Sequence, residues 1–290
     1  MTKILLTGTT GQVGWELRRA LMPLGEIIAP DRYALDLVNP DSIRAMIRNV
    51  QPDVIVNPAA YTAVDKAESE PELAMAINSI APGIMAEEAL RLRAVMIHYS
   101  TDYVFDGRKT TPYTEQDPTN PLGVYGKTKL AGEQAIQAVG GAHLILRTSW
   151  VYSRMGKNFL LTMLRLARER QELKVVNDQI GAPTWSRSIA EMTAAIMFTD
   201  LDRWQDFNGI YHLSASGKTN WYEFAKEILA NDPDRSKQII EQLIPITTAE
   251  YPTPAQRPAY SLLDCSKLID RFQLHLPNWL EVLKLAIESH

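Results

Sequence analysis

Several residue classes are scarce in this chain, and each scarcity excludes something. Cys265 is the single cysteine in 290 residues, so no disulfide can close within the chain, and a reducing cytoplasm is the expected setting. There is no long basic run, and a formal net charge of -4 offers nucleic acid no electrostatic footprint. Arg165, Arg168 and Arg170 cluster, but in a helix-like stretch, where they read as a solvated face. Long apolar runs are missing too. The short one near the N-terminus meets glycine at once and reads as neither a signal peptide nor a membrane span. No His/Cys/Asp cluster has zinc spacing, and no repeat or low-complexity segment breaks the pattern. What remains is an ordinary globular composition, long enough for one large core or two modest ones.

The apolar runs that are present are short and regularly spaced. Residues 3–7, 27–29, 53–57, 94–100 and 143–147 read as buried strands. Between them lie helical patterns at 12–22, 41–50, 73–93 (interrupted near Pro82) and 124–138. Strands alternating with helices imply βαβ units, hence an α/β fold: a doubly wound parallel sheet of the Rossmann type. Beyond about Trp150 the rhythm loosens. Helical stretches at 158–170, 186–199, 221–230 and 277–288 are separated by Pro- and Gly-containing connections. The expected division is residues 1–150 for a dinucleotide-binding domain and 151–290 mainly for a smaller substrate-binding domain. A segment near 186–215 returns to the first, with 210–213 as one more strand.

Gly8, Gly11 and Gly14 recur every third residue where the first strand ends and the first helix begins. A dinucleotide pyrophosphate binds at such a place, because helix amides and the positive end of the helix dipole point outward there. One glycine permits the turn, one lets the backbone approach phosphate, and one lets helix pack on strand. Asp31, at the end of the second strand, stands where a carboxylate meets a ribose hydroxyl. Arg32 beside it can neutralise a 2′-phosphate, so the pair leaves NADPH and NADH both open.

Tyr125 and Lys129 are four apart in a predicted helix and share one face. A nearby ammonium lowers a phenol's pKa, and such a tyrosine can pass a proton to a carbonyl oxygen while hydride arrives at carbon. The pair follows a fourth strand ending in Ser100, Thr101 and Asp102, at the carboxyl edge where such folds build their sites. A hydroxyl from Ser100 or Thr101 can bond the same substrate oxygen. His98 and His212 read as satisfied core or cofactor-side residues, and Trp221, Tyr222 and Phe224 as core.

Taken with the glycines, four further stretches carry a resemblance. They are Asn57-Pro-Ala-Ala-Tyr-Thr62, Ser100-Thr-Asp-Tyr-Val-Phe105, Tyr125-Gly-Lys-Thr-Lys129 and Arg147-Thr-Ser-Trp-Val-Tyr152. With them the chain resembles the extended short-chain dehydrogenase/reductases, and within these the members that act on dTDP-4-dehydro-L-rhamnose. Val64–Glu72 and Asn177–Thr184 match as well, so the resemblance spans nearly the whole chain.

The resemblance implies NAD(P)H-dependent reduction of the sugar's C4 ketone, serving dTDP-rhamnose and cell-surface polysaccharide synthesis, with another 4-keto sugar nucleotide as the alternative substrate. It also implies roles. Tyr125 donates the proton, Lys129 tunes it and holds the nicotinamide ribose, and Thr101 completes the triad. Gly8, Gly11, Gln12 and Val13 take the pyrophosphate. Asp31, Arg32, Asp36 and Leu37 flank the adenosine end. Ala60, Tyr61 and Thr62 line the nicotinamide side, with Tyr99 behind. Asp102 contacts the sugar, Trp150 packs on its ring, Arg257 meets the diphosphate, and Asn158 and Phe159 help close the pocket. The partner is a small-molecule sugar nucleotide, with no nucleic acid or membrane, and a homodimer is compatible.

One departure concerns metal. Some members bind Mg²⁺ at a dimer contact through a helix glutamate, matched by Glu16, and a second carboxylate, where this chain has Arg187. A guanidinium cannot ligate Mg²⁺, so no metal is expected and Arg187 is expected to pair with Glu16. Two rivals also bear on function. Related dehydratases follow the threonine with Asp-Glu, whereas here Asp102 is followed by Tyr103, which removes the base for water elimination. A non-catalytic regulatory subunit of the same fold is the rival from another class. The presence of Thr101, Tyr125 and Lys129 argues for an enzyme.

Overall fold

Strands that are apolar on both faces can only sit inside a covered sheet, and the three most central ones here are buried along their whole length. In the computed structural model, which describes residues 1–199 and 208–288, β1 (Lys3–Leu6) leads through α1 (Gln12–Leu21) to β2 (Glu26–Ile28). Then follow α2 (Pro40–Val50), β3 (Val54–Asn57), α3 (Val64–Ala67), α4 (Pro71–Met75), α5 (Ala81–Leu92) and β4 (Val95–Thr101). After these come α6 (Val124–Val139), β5 (His143–Thr148), β6 (Val151–Tyr152), α7 (Phe159–Glu169), β7 (Glu172–Val176), β8 (Ile180–Gly181) and β9 (Thr184–Trp185). The chain continues through α8 (Ser186–Thr199), β10 (Gly209–His212), β11 (Thr219–Asn220), α9 (Trp221–Ala230), β12 (Gln242–Ile246), α10 (Ser266–Phe272) and α11 (Trp279–Glu288).

Six strands form one sheet in the order β10-β5-β4-β3-β1-β2, with every neighbouring pair parallel. Alternate residues feed opposite cores. Ile4, Leu6, Val54, Val56 and Ile97 meet Leu17 and Leu21 of α1 and Ile189 and Ile196 of α8. Leu5, Ile55, Met96 and Ile145 meet Ile43 and Ile47 of α2, Met85 of α5 and Ile136 of α6. Each such fully buried aliphatic side chain is worth about 1.5–3 kcal/mol, so helices on both faces fix the sheet between them. A third core joins Tyr152, Leu160, Phe224, Ile228, Trp279 and Leu283 in the C-terminal half.

The expected strand at 210–213 is present as β10 and closes the sheet beside β5. The return to the first core goes further than the sequence indicated, because Leu268 and Phe272 of α10 pack there as well as α8. The long helix expected over 73–93 is divided, with a π-helical turn at Ala76–Ile80 separating α4 from α5. Pro82, near the start of α5, has no N–H to give to the carbonyl four residues back. The parallel pair β7 and β12, register Glu172↔Gln242 to Val176↔Ile246, has no counterpart in the sequence reading. Pro245 within β12 and the mixed polarity of both segments conceal it.

Glu88 on α5 is a buried carboxylate (side chain 1% exposed) gripped by Arg48, Arg44 and Arg91 from α2 and α5. These guanidinium groups, Arg48 foremost, hold it down to about 2 from the usual 4.5. A depressed carboxyl stabilises the fold fully above its unfolded value and loses that contribution as pH falls through the folded one. Glu88→Gln is therefore expected to cost about 2–3 kcal/mol near neutral pH, allowing for half-exposed partners. Paired denaturant melts should show that difference shrinking as pH falls from 4.5 toward 2.

Candidate active site

At the exit of β1 the backbone turns at Gly8 with φ +58°, and a Cβ there would lie 2.9 Å from the Ala59 backbone. At Gly14 a Cβ would sit 2.2 Å from the Gly8 carbonyl oxygen, so only glycine lets α1 come this close to the turn. Gly11 is the N-cap of α1 and contributes no side-chain cap. Gln12 Oε1 is buried without a partner. A cradle that a Cβ would fill, below an uncapped ten-residue helix, suits a dinucleotide pyrophosphate at Gly11, Gln12 and Val13.

The other residues expected around the cofactor are built into their own loops. Asp31 Oδ1 accepts the backbone N–H of Tyr33 and of Ala34, each at 2.9 Å, and remains exposed. Asp36 accepts the Val38 N–H at 3.0 Å. Arg32 lies 5.9 Å from the Tyr33 ring centre, and Leu37 packs on the α2 side of the sheet. Across from them, Asn78 in the π-helical turn clamps the Tyr61 backbone. Its Oδ1 accepts the Tyr61 N–H at 2.8 Å and its Nδ2 donates to the Tyr61 carbonyl at 3.1 Å. Ala60 and Thr62 flank that clamp. The sequence reading did not single out Asn78. Its signal was Pro82 four residues on, which breaks the helix at that point.

Thr101 ends β4, and its hydroxyl donates to Asp102 Oδ1 at 3.1 Å and accepts the Tyr103 N–H at 3.2 Å. Asp102 is 2% exposed and its Oδ2 has no hydrogen-bond partner. Burial pushes its carboxyl up to about 6, against the nearby Ser261 and Thr101 hydroxyls. Tyr125 lies in the first turn of α6, its ring edge-on to Tyr103 at 5.5 Å between centres. Burial raises its phenol to about 12, opposed by a hydrogen bond with the Thr101 hydroxyl.

Lys129, one turn further, is 1% exposed. Its Nζ donates to the Tyr99 carbonyl at 2.6 Å and lies 3.1 Å from His98 Nε2. Burial lowers it to about 8, against the pull of Glu133. The expected lowering of Tyr125 by the lysine is thus reversed. The amine is turned beneath β4 toward Tyr99 and His98, and desolvation of the phenol dominates. Ser100 Oγ is buried without a partner, leaving Thr101 as the hydroxyl joined to Tyr125.

Three carboxylates of the segment 65–70 act on this site, though the sequence reading gave them no roles. Glu68 Oε1 accepts the Val124 N–H at 2.8 Å and so caps α6, whose N-cap Gly123 has no side chain to do it. Glu70 accepts the Tyr61 hydroxyl at 2.6 Å. Asp65 takes Arg257 in a two-pronged pair, 3.1 and 2.9 Å. Arg257 also donates to Thr253 and to the Ala255 carbonyl within its own loop, so its pair with Asp65 ties that C-terminal loop to α3.

Trp150 has φ +46°, unusual for a bulky residue, and stacks on Trp221 at 3.6 Å and 7°. The Trp221 indole N–H donates to Gln179 Oε1 at 3.1 Å. Phe224 is core as expected. Trp221 and Tyr222 are half-buried and pack against that core, and Trp221 also forms one wall with Trp150. Phe159 lies 4.7 Å from Trp221 between ring centres. Asn158 caps α7, accepting the Leu161 N–H while its Nδ2 donates to the Ser153 and Met155 carbonyls. Its side chain is largely spent on that loop. Tyr99 gives Lys129 its carbonyl, while its hydroxyl pairs with Thr193 at 2.7 Å. His212 is a core histidine as expected but only half satisfied: its Nδ1 lies between the Tyr113 and Asp264 carbonyls, while its Nε2 is buried without a partner.

Arg187 Nε donates to Glu16 Oε2 at 3.3 Å, the expected pair, and Arg19 joins the same oxygen at 3.2 Å. Among the described residues no group of three or more His, Cys, Asp or Glu side chains is placed to hold a metal ion. None of the described helices is long and apolar enough to cross a membrane.

Comparison with known proteins gives a consistent picture. The family described as RmlD substrate binding domain matches residues 1–290. A dTDP-4-dehydrorhamnose reductase of Escherichia coli strain K12 is 50% identical over 281 residues, 95% of this chain and 94% of the relative. Another, from Burkholderia thailandensis, is 46% identical over 293 residues, 99% of this chain and 98% of the relative. A crystal structure of dTDP-4-dehydrorhamnose reductase from Bacillus anthracis str. Ames in complex with NADP has a TM-score of 0.92. It is 34% identical and covers 100% of both chains.

Two predictions follow from the site's charges. Asp102 is raised from 3.8 to about 6, so the folded state holds its proton more tightly, and stability is lost as pH rises through that interval. Asp102→Asn should therefore be more stable than the parent by about 2–3 kcal/mol well above pH 6, and equal to it well below pH 3.8. Thermal melts across pH check this. For the Arg187–Glu16 pair, elemental analysis of the purified protein should find no stoichiometric Mg²⁺.

Proposed function

The chain belongs to the RmlD substrate binding domain family, and on that premise we propose that it reduces the C4 ketone of dTDP-4-dehydro-L-rhamnose to give dTDP-L-rhamnose. The reductant is NADPH or NADH, and the Bacillus anthracis relative was solved with NADP. One observation carries the reading. Thr101 at the end of β4 stands beside Tyr125 in the first turn of α6, with Lys129 one helical turn further on, at the carboxyl edge of a parallel sheet whose first turn suits a phosphate.

In this reading Gly11, Gln12 and Val13 hold the pyrophosphate, with Gly8 making the turn. Asp31, Arg32, Asp36 and Leu37 border the adenosine, and Ala60, Tyr61, Thr62 and Tyr99 the nicotinamide. When bound, the reduced nicotinamide supplies a hydride to C4. Tyr125 gives the proton to the C4 oxygen. A phenol raised to about 12 is fully protonated at neutral pH, so the acid is loaded before substrate arrives. The Thr101 hydroxyl, whose hydrogen goes to Asp102 in the free site, turns that hydrogen to the phenolate left behind, and Lys129 supports its reprotonation. Asp102 Oδ2, buried and without a partner, accepts a sugar hydroxyl. Trp150 covers the sugar ring, and Phe159 supports it through Trp221. Asn158 acts on the pocket by fixing the head of α7. Arg257 takes the diphosphate, sharing its guanidinium with Asp65.

Water elimination is disfavoured because Tyr103 stands where a dehydratase needs a glutamate. Burial raises its phenol, so it stays protonated and cannot act as a base. Residues 1–150 are the proposed nucleotide domain and 151–290 mainly the substrate domain, with 186–215 returning to the sheet. A homodimer in the cytoplasm is the proposed state, and exposed Trp15 and Met22 near α1 and Phe198 on α8 supply apolar surface for it.

Absorbance of the reduced nicotinamide tests the reading. The purified chain with dTDP-4-dehydro-L-rhamnose should oxidise NADPH or NADH. Tyr125→Phe should keep cofactor binding and lose about 10²–10⁴-fold in kcat. A Tyr125→Phe enzyme at parental rate would overturn the proton-donor role. Cofactor binding without oxidation by the parent would favour the regulatory subunit.

A further inference from the structure

Behind the catalytic face a chain of buried polar side chains crosses three neighbouring strands. Thr7, just before the phosphate cradle, donates its hydroxyl to Asn57 Oδ1 at 2.6 Å. Asn57, at the end of β3, sets its Nδ2 3.1 Å from His98 Nδ1, and the two residues are register partners. His98 Nε2 lies 3.1 Å from Lys129 Nζ. Each of the four side chains is 1% exposed or less, so water does not complete these bonds.

The chain can run in either of two directions, because each hydrogen serves one bond while the Thr7 oxygen has two lone pairs, and the placed side chains take one of them. The Ala59 N–H points to Thr7 Oγ1 at 3.4 Å, so the threonine receives there and its own hydrogen is free for Asn57 Oδ1. Asn57 then turns Nδ2 to His98, Nδ1 of the imidazole must accept, and the ring hydrogen sits on Nε2, facing the lysine. Burial keeps the ring neutral. An imidazole N–H is met by the lone pair of a neutral amine and is repelled by an ammonium. The amine keeps one hydrogen on the Tyr99 carbonyl in either state.

We propose that Thr7, Asn57 and His98 are positioning residues for Lys129, and that its charge changes together with the direction of this chain. The direction just described accompanies the neutral amine. The ammonium accompanies the reverse, with the Asn57 amide rotated by half a turn and His98 carrying its hydrogen on Nδ1. The change takes up one proton in all, which ends on the amine, while the imidazole hydrogen moves from one ring nitrogen to the other. Since Thr7 abuts the phosphate cradle, the occupancy of the cradle and the charge of the lysine share one hydrogen-bonded path.

Burial brings Lys129 down to about 8, so the exchange falls in an accessible range. The other charged or titratable groups around it are few. Glu133 on α6 is tied to Arg147 of β5 by bonds of 2.9 and 2.6 Å, while Tyr125 and Asp102 lie on the substrate side. The effect on turnover rests on the role given to Lys129 above, whereas the coupling of tautomer and charge does not.

Nitrogen-15 NMR of histidine-labelled, ligand-free full-length protein reads the coupling directly, with His98→Gln identifying the signal. His98 should stay neutral and change from the Nε2–H tautomer at alkaline pH to the Nδ1–H tautomer on acidification. A single tautomer throughout would overturn the proposal. Thr7→Val frees Asn57 to rotate and should move the midpoint to higher pH by about one unit, a tenfold gain in proton affinity. The alkaline limb of the kcat profile should move with it. A purely structural role would lower kcat at every pH and leave the midpoint in place, which also overturns the proposal. Asn57→Asp places only acceptors before Nδ1 and should hold His98 as Nδ1–H at all pH values. If it still switches, the chain does not set the tautomer. Midpoints that move in NMR while the enzyme lacks reductase activity would spare the coupling and sink the function proposed for the site.

Discussion

The bond from Lys129 Nζ to the Tyr99 carbonyl is the constraint on which the site depends. An amine with almost no exposure must be satisfied, and here a strand carbonyl and an imidazole do so. That requirement holds α6 at a fixed height against β4. The head of the helix then brings Tyr125 beside Thr101, and the Glu68 carboxylate fixes the same helix end from outside. Tyr125, the proposed proton donor, is thus set by two contacts that involve neither its own ring nor its hydroxyl.

The segment from Asp65 to Glu70 explains how two halves of the chain act as one. Its acidic residues look like an exposed charged run, yet each has a distinct partner. Glu68 meets a helix terminus, Glu70 a tyrosine beside the proposed nicotinamide pocket, and Asp65 an arginine of the C-terminal loop. Charge-assisted hydrogen bonds of this kind are stronger than neutral ones and directional, so they can fix a loop across a cleft without filling it.

Some features of the site carry a stability cost. Asp102 is buried with one oxygen unpartnered, and Trp150 holds a backbone conformation that bulky residues rarely adopt. Both are among the residues proposed to meet the sugar. The same region holds the Trp150–Trp221 stack, a flat aromatic wall where a sugar ring can pack. A site ready to bind is expected to leave polar groups unsatisfied and surfaces open until the ligand arrives.

The sequence by itself determined the parallel sheet, because runs apolar on both faces have no other stable place. It also determined the tight turn between β1 and α1, where Gly8 and Gly14 leave no room for a Cβ. Tyr125 and Lys129 were legible as a pair through helical spacing, and the Glu16–Arg187 contact through the chemistry of one replaced carboxylate. Tertiary structure decided the rest. The direction of the Lys129 amine, the high pKa of Tyr125, the place of Trp221 and the partners of Asp65, Glu68 and Asn78 all depend on residues remote in the sequence. Local periodicity reports which face of an element is buried. It carries no information on which distant carbonyl, carboxylate or ring will lie against that face, and desolvation and hydrogen-bond direction are set by those neighbours.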